Sequence, residues 1–353
     1  MTATPICQDI KDLGKKQLIS WLEGHDIRSF RAGQIMRWIY LRQVESFDQM
    51  TDLRLDVRNL LSEHFRIDRL RQVDTATSRD GSRKYLWQLT DGNCVESVLI
   101  PEKNHFTLCI SSQVGCAQGC RFCRTAQGGL IRNLTRGEIV AQVRDMQHIL
   151  ASRQDVTKRL TNVVLMGMGE PLANYDAVLG AIRTMTDADM GLKLAARRVT
   201  LSTAGLLAKL PQLSRDAKIK LAISLNASDN QTRSRLMPIN RKYPIEQIVA
   251  ACRQYQTQSD HRITFEYILL KDINDTPADA HRLVKLLGPL KAKVNLIPFN
   301  QHDGCEFKRP APDVIDRFFQ ILYDHHYTVI VRHSKGQDIA AACGQLRARN
   351  GAG

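Results

Sequence analysis

Alternating strand-like and helical segments fill the last two thirds of the chain, and this alternation constrains the fold more than any other feature. The predicted strands cover residues 106–111, 162–166, 198–201, 218–224, 262–269, 294–297 and 328–331. Thr135 and Glu138 have the spacing of a capping box, which predicts the start of the first intervening helix. Repeated strand–helix units predict an α/β fold with a parallel sheet and right-handed crossovers. The periodicity leaves open whether this sheet is open or closes towards a barrel.

The chain before this pattern predicts two smaller units. Helical spacing of apolar residues predicts a small module of three or four helices, which we assign to residues 1–75 as an accessory domain. The Asp91–Gly92 pair between two strand-like runs predicts a β-hairpin connector over residues 76–104. The strand–helix domain then covers residues 105–346, and residues 347–353 are expected to be a flexible tail. Aromatic residues of the helical module suit base stacking or, more simply, its own core: Trp21, Phe30, Trp38, Tyr40 and Phe47.

Three cysteines, Cys116, Cys120 and Cys123, form a C-x3-C-x2-C run near the start of the strand–helix pattern. The run supplies three thiolates and no local fourth, whereas closed iron–sulfur sites use four cysteines. A cluster with three protein ligands keeps one iron open for a small molecule, as a catalytic zinc site keeps one open position. Soft sulfur ligands this close together favour iron, and zinc is the alternative that the run alone leaves open.

Charge and cysteine usage indicate the kind of partner and compartment. The 353-residue chain carries a net charge of +14, which suits a polyanionic partner such as RNA, although some enzymes are simply basic. One candidate phosphate-binding cluster, which could equally be a solvated face, contains Arg233, Arg235, Arg241 and Lys242. With this basic excess, we expect the accessory domain at residues 1–75 to bind RNA. An odd number of cysteines, nine, together with no signal-peptide pattern and no apolar run of roughly 18 residues, predicts a reduced, cytoplasmic protein without a membrane segment.

The segments around the cysteine run resemble the radical S-adenosylmethionine (SAM) superfamily, and in finer detail the RlmN family. The C-x3-C-x2-C run is the signature of that superfamily, and Gly-Met-Gly-Glu-Pro at 167–171 resembles its SAM-binding segment. Cys-Ile-Ser-Ser-Gln-Val-Gly-Cys at 109–116, Arg-Leu-Met-Pro-Ile-Asn at 235–240 and Ala-Cys-Gly-Gln at 342–345 are similar to RlmN segments. The resemblance covers about residues 13–346. It implies an incomplete TIM-like (β/α)6 barrel.

The cofactors follow from the same resemblance. It implies a 4Fe–4S cluster on Cys116, Cys120 and Cys123, and two SAM molecules for each turnover. Asn226 stands where many members of the family carry histidine, and its amide can still donate and accept hydrogen bonds. The residues implied to contact SAM are Gly169, Glu170, Ser202, Ser224, Leu225, Asn226 and Asn300.

Three further residues have catalytic roles in what the resemblance implies. Cys343 would take a methyl group from the first SAM and carry it, as a radical, to C2 of adenine. Cys109 would then release the product by forming a disulfide with Cys343, and Glu96 would remove the C2 proton. Considered in isolation, the two cysteines are more simply inert core residues and Glu96 a strand carboxylate.

Our leading hypothesis is a monomeric, cytoplasmic methyltransferase that acts on adenosine C2 in 23S rRNA and in tRNA. Flavodoxin or ferredoxin would supply the electrons. A C8 methyltransferase of the related Cfr type is the first alternative, but that type tends to have Gly-Glu-Ala where this chain has Gly-Glu-Pro at 169–171. A non-catalytic iron–sulfur protein that binds RNA is the second alternative, and it would need neither Cys109 nor Cys343.

Overall fold

A ten-stranded mixed sheet forms the centre of the protein in the computed structural model, which describes residues 7–153, 157–258, 262–302 and 304–346. The predicted flexible tail at 347–353 lies outside the described residues. Among the described residues, no helix is both long and apolar enough to span a membrane.

The N-terminal module contains three α-helices between two short paired strands. Its elements are β1 (Gln8–Asp9), α1 (Lys15–Glu23), α2 (Arg31–Tyr40), α3 (Leu55–His64) and β2 (Phe65–Arg66), with β1 and β2 parallel. Trp38, Tyr40 and Phe47 are buried, so these aromatics belong to the core of the module. Phe30 differs, because 55% of its surface is exposed.

Three antiparallel strands connect this module to the rest of the sheet: β3 (Arg71–Thr77), β4 (Arg83–Gln88) and β5 (Cys94–Pro101). The hairpin predicted at Asp91–Gly92 joins β4 to β5, and Gly92 has the positive φ of 83° that such a turn requires. Strand β3 was not predicted, and the expected domain boundary at residue 75 falls inside it. Because β5 also pairs with the next strand, the connector is continuous with the main sheet.

The third part of the chain consists of strand–helix units whose strands pair in parallel and in chain order, apart from one short antiparallel pair formed by residues 113–115 and 130–133. Its elements are β6 (His105–Cys109), β7 (Gln113–Gly115), α4 (Arg124–Gln127), β8 (Leu130–Asn133), α5 (Arg136–Ala151), β9 (Arg159–Leu165), α6 (Tyr175–Thr186), β10 (Val199–Thr203), α7 (Leu210–Asp216), β11 (Lys220–Ser224), α8 (Asn230–Leu236), α9 (Ile245–Thr257), β12 (Ile263–Leu269), α10 (Pro277–Leu287), β13 (Ala292–Pro298), α11 (Pro312–Asp324) and β14 (Thr328–Val331). All seven predicted strands are present, within three residues at each end. Six strand–helix units precede β14, as the (β/α)6 expectation requires.

Helix α5 connects the barrel to the N-terminal module. Its predicted capping box is confirmed, because the Glu138 amide donates to Thr135 Oγ1 (3.2 Å) and the Glu138 carboxylate accepts from the Thr135 amide (2.8 Å). Further along the helix, the buried Arg144 guanidinium donates to the backbone carbonyls of Ile39 (3.0 Å) and Val44 (2.6 Å). These bonds satisfy a buried cation with carbonyls of the module, and so they hold the two units together.

Candidate active site

The predicted site residues converge on one cavity at the carboxyl ends of the parallel strands, where ligands bind in α/β folds. Nine of the thirteen predicted residues line it: Cys116, Cys120, Cys123, Gly169, Glu170, Ser202, Ser224, Asn226 and Cys343. The other four, Cys109, Glu96, Leu225 and Asn300, are buried residues of the strands and strand ends around this cavity.

The cysteine loop follows β7 and is shaped by close backbone contacts. Gly115 has a φ of 77°, and a Cβ on it would lie 2.0 Å from the Gly129 carbonyl oxygen, so only glycine fits. Beside it, the Cys116 amide donates to that same carbonyl at 2.7 Å. On its other side the loop packs against an apolar cluster that includes Phe122, Leu236 and Phe299.

All three thiols of this loop line the cavity and together could bind a metal cluster. Burial raises the pKa of Cys116 to about 11 and raises that of Cys120 further, so bound cations are needed to hold them as thiolates. Among the described residues, no three His, Cys, Asp or Glu side chains are grouped to hold a single metal ion. A 4Fe–4S cluster does not need such a group, because each cysteine binds a different iron.

Glu170 is placed to accept an ammonium group. It is buried, and its two carboxylate oxygens accept one backbone hydrogen bond each, from Leu172 (3.0 Å) and Ala204 (2.7 Å). Burial raises its pKa above the usual value. The Thr203 hydroxyl is a third donor to this carboxylate. Because a carboxylate has about four acceptor positions, one remains for a buried ammonium group, which would favour the ionised form.

Gly169 allows the close approach that this strand end needs. Its φ is 101°, and a Cβ there would lie 2.6 Å from the Gln113 Cβ. The Gln113 side-chain oxygen in turn accepts from the Glu170 amide at 2.8 Å. A glycine before Glu170 therefore lets the turn pack against β7 and aims the carboxylate into the cavity.

Glu266 is a carboxylate of this cavity that sequence reasoning missed. It lies in β12, faces the cavity beside Ser202 and Ser224, and is 8% exposed. The Ser202 hydroxyl donates to it at 3.2 Å, and burial raises its pKa although Arg332 opposes this. A single charged residue inside the apolar run Ile-Thr-Phe-Glu-Tyr-Ile-Leu was the signal available in the sequence.

Asn226 follows β11 in the left-handed region, with a φ of 59°, where asparagine is tolerated better than most residues. Its side-chain oxygen accepts from the Ile268 amide at 2.9 Å, and its amide nitrogen contacts the Met237 sulfur at 3.3 Å. The side chain therefore holds neighbouring strand ends together as well as lining the cavity.

Arg233 corrects the expectation that its cluster binds RNA phosphate. Its side chain is fully buried and donates to the carbonyl oxygens of Leu225 (3.0 Å) and Ala204 (2.7 Å), among others. Burial lowers its pKa to about 10. Arg235, by contrast, is exposed. Arg233 is therefore part of the wall that supports the cavity. Arg235 lies two positions further along the helix and so faces a different direction, towards solvent.

Cys343 lies in a loop at the mouth of the cavity. Its residue is exposed, yet the cavity walls screen the thiol from bulk water and, with the carboxylate of Glu266, raise its pKa to about 11. Asn300 holds this loop, because its side-chain nitrogen donates to Ser334 Oγ (2.8 Å) and to the Cys343 carbonyl (3.4 Å). Contact between Asn300 and SAM stays a prediction.

Cys109 and Glu96 share one face of the sheet next to this loop. Val98 in β5 pairs with Cys109 in β6, and side chains two residues apart along a strand point to the same face, which places Glu96 beside Cys109. Burial, followed by the charge of the nearby Cys343 sulfur, raises the pKa of Cys109 well above its usual value. Both cysteines are free thiols in this structure, so the disulfide stays a prediction.

Comparisons with known proteins agree with this geometry. The profile of the Radical SAM superfamily matches residues 110–284, and that of the ribosomal RNA large subunit methyltransferase N-terminal domain matches residues 8–67. A crystal structure of a radical SAM methyltransferase from Sphaerobacter thermophilus matches with a TM-score of 0.90 and 41% identity, covering 97% of this chain and 100% of that chain.

Several relatives carry the name dual-specificity RNA methyltransferase RlmN, and two of them illustrate the similarity. The protein of Desulfosudis oleivorans is 54% identical over 348 residues, which are 99% of this chain and 93% of that protein. The protein of Geobacter sulfurreducens is 50% identical over 341 residues, which are 97% of this chain and 92% of that protein.

Proposed function

Because this chain belongs to the RlmN family of radical SAM RNA methyltransferases, we propose that it methylates C2 of an adenosine in 23S rRNA and in tRNA. The observation that supports this proposal best is that cofactor-binding residues and a nucleophilic thiol lie together at one set of strand ends. The cysteine loop and Glu170 can hold the cofactors, and Cys343 opens onto the same cavity. The relatives favour this function over C8 methylation and over a non-catalytic role.

The cavity residues divide the binding of the cofactors among them. Cys116, Cys120 and Cys123 would hold the 4Fe–4S cluster, and Glu170 would pair with the amino group of SAM. When bound, the cluster and SAM supply a transferable methyl group and, after one-electron reduction, a deoxyadenosyl radical. Ser202 and Ser224 line the cavity, and their hydroxyl groups could form hydrogen bonds with the hydroxyl groups of SAM.

Cys343 would act first as a nucleophile. After its thiol proton is lost to solvent, the Cys343 sulfur would bond to the SAM methyl carbon as the sulfonium–methyl bond breaks, which would leave a methyl thioether on Cys343. Because its pKa is about 11, little thiolate is present at neutral pH without help. A sulfonium cation bound beside the sulfur would lower that pKa and so favour attack.

Cys109 and Glu96 would complete the reaction after the Cys343 methyl group loses a hydrogen atom and its carbon bonds to C2. The Glu96 carboxylate would accept the proton from C2. Cys109 sulfur would then bond to Cys343 sulfur as the sulfur–methylene bond breaks, and the released carbon would take up a proton. The unpaired electron left by the radical addition would have to pass back to the iron–sulfur cluster, so that a closed-shell methylated base is released. An electron donor such as flavodoxin or ferredoxin would then reduce the disulfide to two thiols. We expect this reaction to take place in the cytoplasm.

Nucleoside analysis tests this proposal. Reconstituted protein with SAM, a reductant and 23S rRNA or tRNA should yield 2-methyladenosine by mass spectrometry. Cys343→Ala should yield none, whereas Cys7→Ala, a cysteine of the N-terminal module, should yield as much as the unmodified chain. Formation of 8-methyladenosine, or of no methylated base by a cluster-loaded protein, would contradict the proposal.

A further inference from the structure

The turn between β3 and β4, residues 78–82, contacts the loop that carries Cys343 although the two are about 260 residues apart in sequence. Ser78 Oγ donates to Asp338 Oδ1 at 2.5 Å, and the Arg79 amide donates to Asp338 Oδ2 at 3.1 Å. From the turn side, Asp80 Oδ2 accepts from the Gly336 amide at 2.8 Å. Each segment therefore carries one carboxylate that accepts hydrogen bonds from the other segment.

Lys84, at the start of β4, extends this contact towards the catalytic groups. Its ammonium lies 3.0 Å from Glu96 Oε1 and donates to the Ala340 carbonyl at 3.4 Å. The side chain is mostly buried, with 19% exposed, so the pair is partly shielded from water. One hairpin edge therefore touches both the proposed base and the segment that leads into Cys343.

The Cys343 loop needs such support because its own conformation is unfavourable. Gly336, Ala340 and Gly344 all have positive φ values, of 67°, 51° and 81°. Ala340 is the unusual one, since a residue with a Cβ rarely occupies this region unless surrounding contacts impose it. Its carbonyl is the group that Lys84 binds, and the Ala341 amide closes the turn onto the Gly336 carbonyl at 2.9 Å.

We propose that Ser78, Asp80 and Lys84 are positioning residues, which act through Asp338, Gly336 and Ala340 to hold Cys343 where it can receive and deliver the methyl group. This inference rests on the proposed function only for the role of Cys343. The contacts of Asp80 and Asp338 lie at the surface, where both carboxylates are exposed, so these contacts contribute little to global stability. Their effect is on the position of the loop.

The chemistry of the carboxylates suggests a mild variant. Asp80 uses one oxygen for the Ser82 amide within its own turn (2.8 Å) and the other for Gly336. Asparagine has a single acceptor oxygen, so Asp80→Asn can keep the turn and lose the contact with the loop. Asp338→Asn likewise keeps one of its two bonds. Asp74→Asn is the matched control, since this carboxylate of β3 is exposed and accepts a hydrogen bond from the adjacent Thr75 amide.

The test compares Asp80→Asn/Asp338→Asn and Lys84→Met with Asp74→Asn and the unmodified chain, all cluster-loaded. Peptide mass spectrometry measures the rate at which SAM methylates Cys343. We expect this rate to fall about tenfold in Asp80→Asn/Asp338→Asn and in Lys84→Met, because each loses charged hydrogen bonds. Alkylation of Cys343 by iodoacetamide should become several times faster. The SAM dissociation constant should match that of the control in both variants, and so should the unfolding midpoint of Asp80→Asn/Asp338→Asn. Lys84→Met should lower its unfolding midpoint, because it removes a partner of the buried Glu96 carboxylate.

The outcomes separate this inference from the function beneath it. If the unmodified chain never methylates Cys343, the proposed function fails. If it does, and both variants methylate and alkylate Cys343 at the control rate, the positioning role is wrong. Slower methylation with a lowered unfolding midpoint in both variants would also overturn it, because general destabilisation would then explain the loss.

Discussion

Replacing Arg233 by glutamine should weaken the cavity wall, whereas the same change at Arg235 should not. The Arg233 guanidinium donates four hydrogen bonds, to the carbonyls of Ala204, Ser224 and Leu225 and to the Asn240 side chain, over distances of 2.7 to 3.3 Å. Glutamine is too short and has too few donors to replace them, so buried carbonyls at the ends of β10 and β11 would lose their partners.

The size of the effect follows from burial. Leaving a buried acceptor without its partner costs about 1 to 3 kcal/mol, so the loss of two of these bonds should cost about 2 to 6 kcal/mol. At roughly 2 °C per kcal/mol, the unfolding midpoint should fall by about 4 to 12 °C. Arg235→Gln, on an exposed position of the same helix, should shift it by about 1 °C or less.

Thermal unfolding followed by circular dichroism measures both variants, and SAM binding to the cluster-loaded proteins gives a second comparison. Affinity for SAM should fall with Arg233→Gln, because the carbonyls that it binds belong to strand ends that line the cavity. Equal unfolding midpoints for the two variants would refute the assignment of Arg233 to the wall. A loss of RNA affinity confined to Arg233→Gln, with unchanged stability, would restore the surface role.

Two further predictions concern the cavity itself. Alkylation of Cys343 by iodoacetamide in the cluster-free protein should rise about tenfold for each pH unit between pH 7 and 9, because the reactive thiolate forms only as the pH approaches a pKa of about 11; a plateau in that range would contradict the raised pKa. Gly169→Ala should weaken SAM binding at least about tenfold, or roughly 1.4 kcal/mol, because its Cβ would lie 2.6 Å from Gln113. Gly92→Ala is the control, since Gly92 has a similar φ and open space around it, and this change should alter the affinity for SAM less than about twofold. Equal affinities for these two alanine variants would argue against the close-approach account.

Local sequence patterns predicted most of the fold and part of the site. The parallel strands and the capping box at Thr135 follow from periodicity and spacing, which act over a few residues. Strand β3 was missed because its residues Arg71–Thr77 are mostly exposed and polar, so they carry no clear alternation. The cysteine loop and Glu170 were found through their motifs.

The remaining features depend on contacts between distant segments. Arg233 was read as a surface charge because nothing in its neighbourhood shows that four acceptors surround it in the folded chain. Glu266 was missed because a single carboxylate in a strand does not indicate a binding site by itself. Its place in the cavity follows only from the fold, which brings its strand beside Ser202 and Ser224. The contact between the β3–β4 turn and the Cys343 loop joins segments that only the sheet topology brings together.

The central claim is that Cys343 carries the methyl group and Cys109 releases the product. The most direct measurement is mass spectrometry of Cys109→Ala protein after incubation with SAM, reductant and RNA, followed by nuclease digestion. The account predicts a covalent nucleotide adduct on the peptide that contains Cys343, and no adduct when Cys343 is also replaced by alanine. Normal turnover by Cys109→Ala, or an adduct on any other peptide, would contradict it.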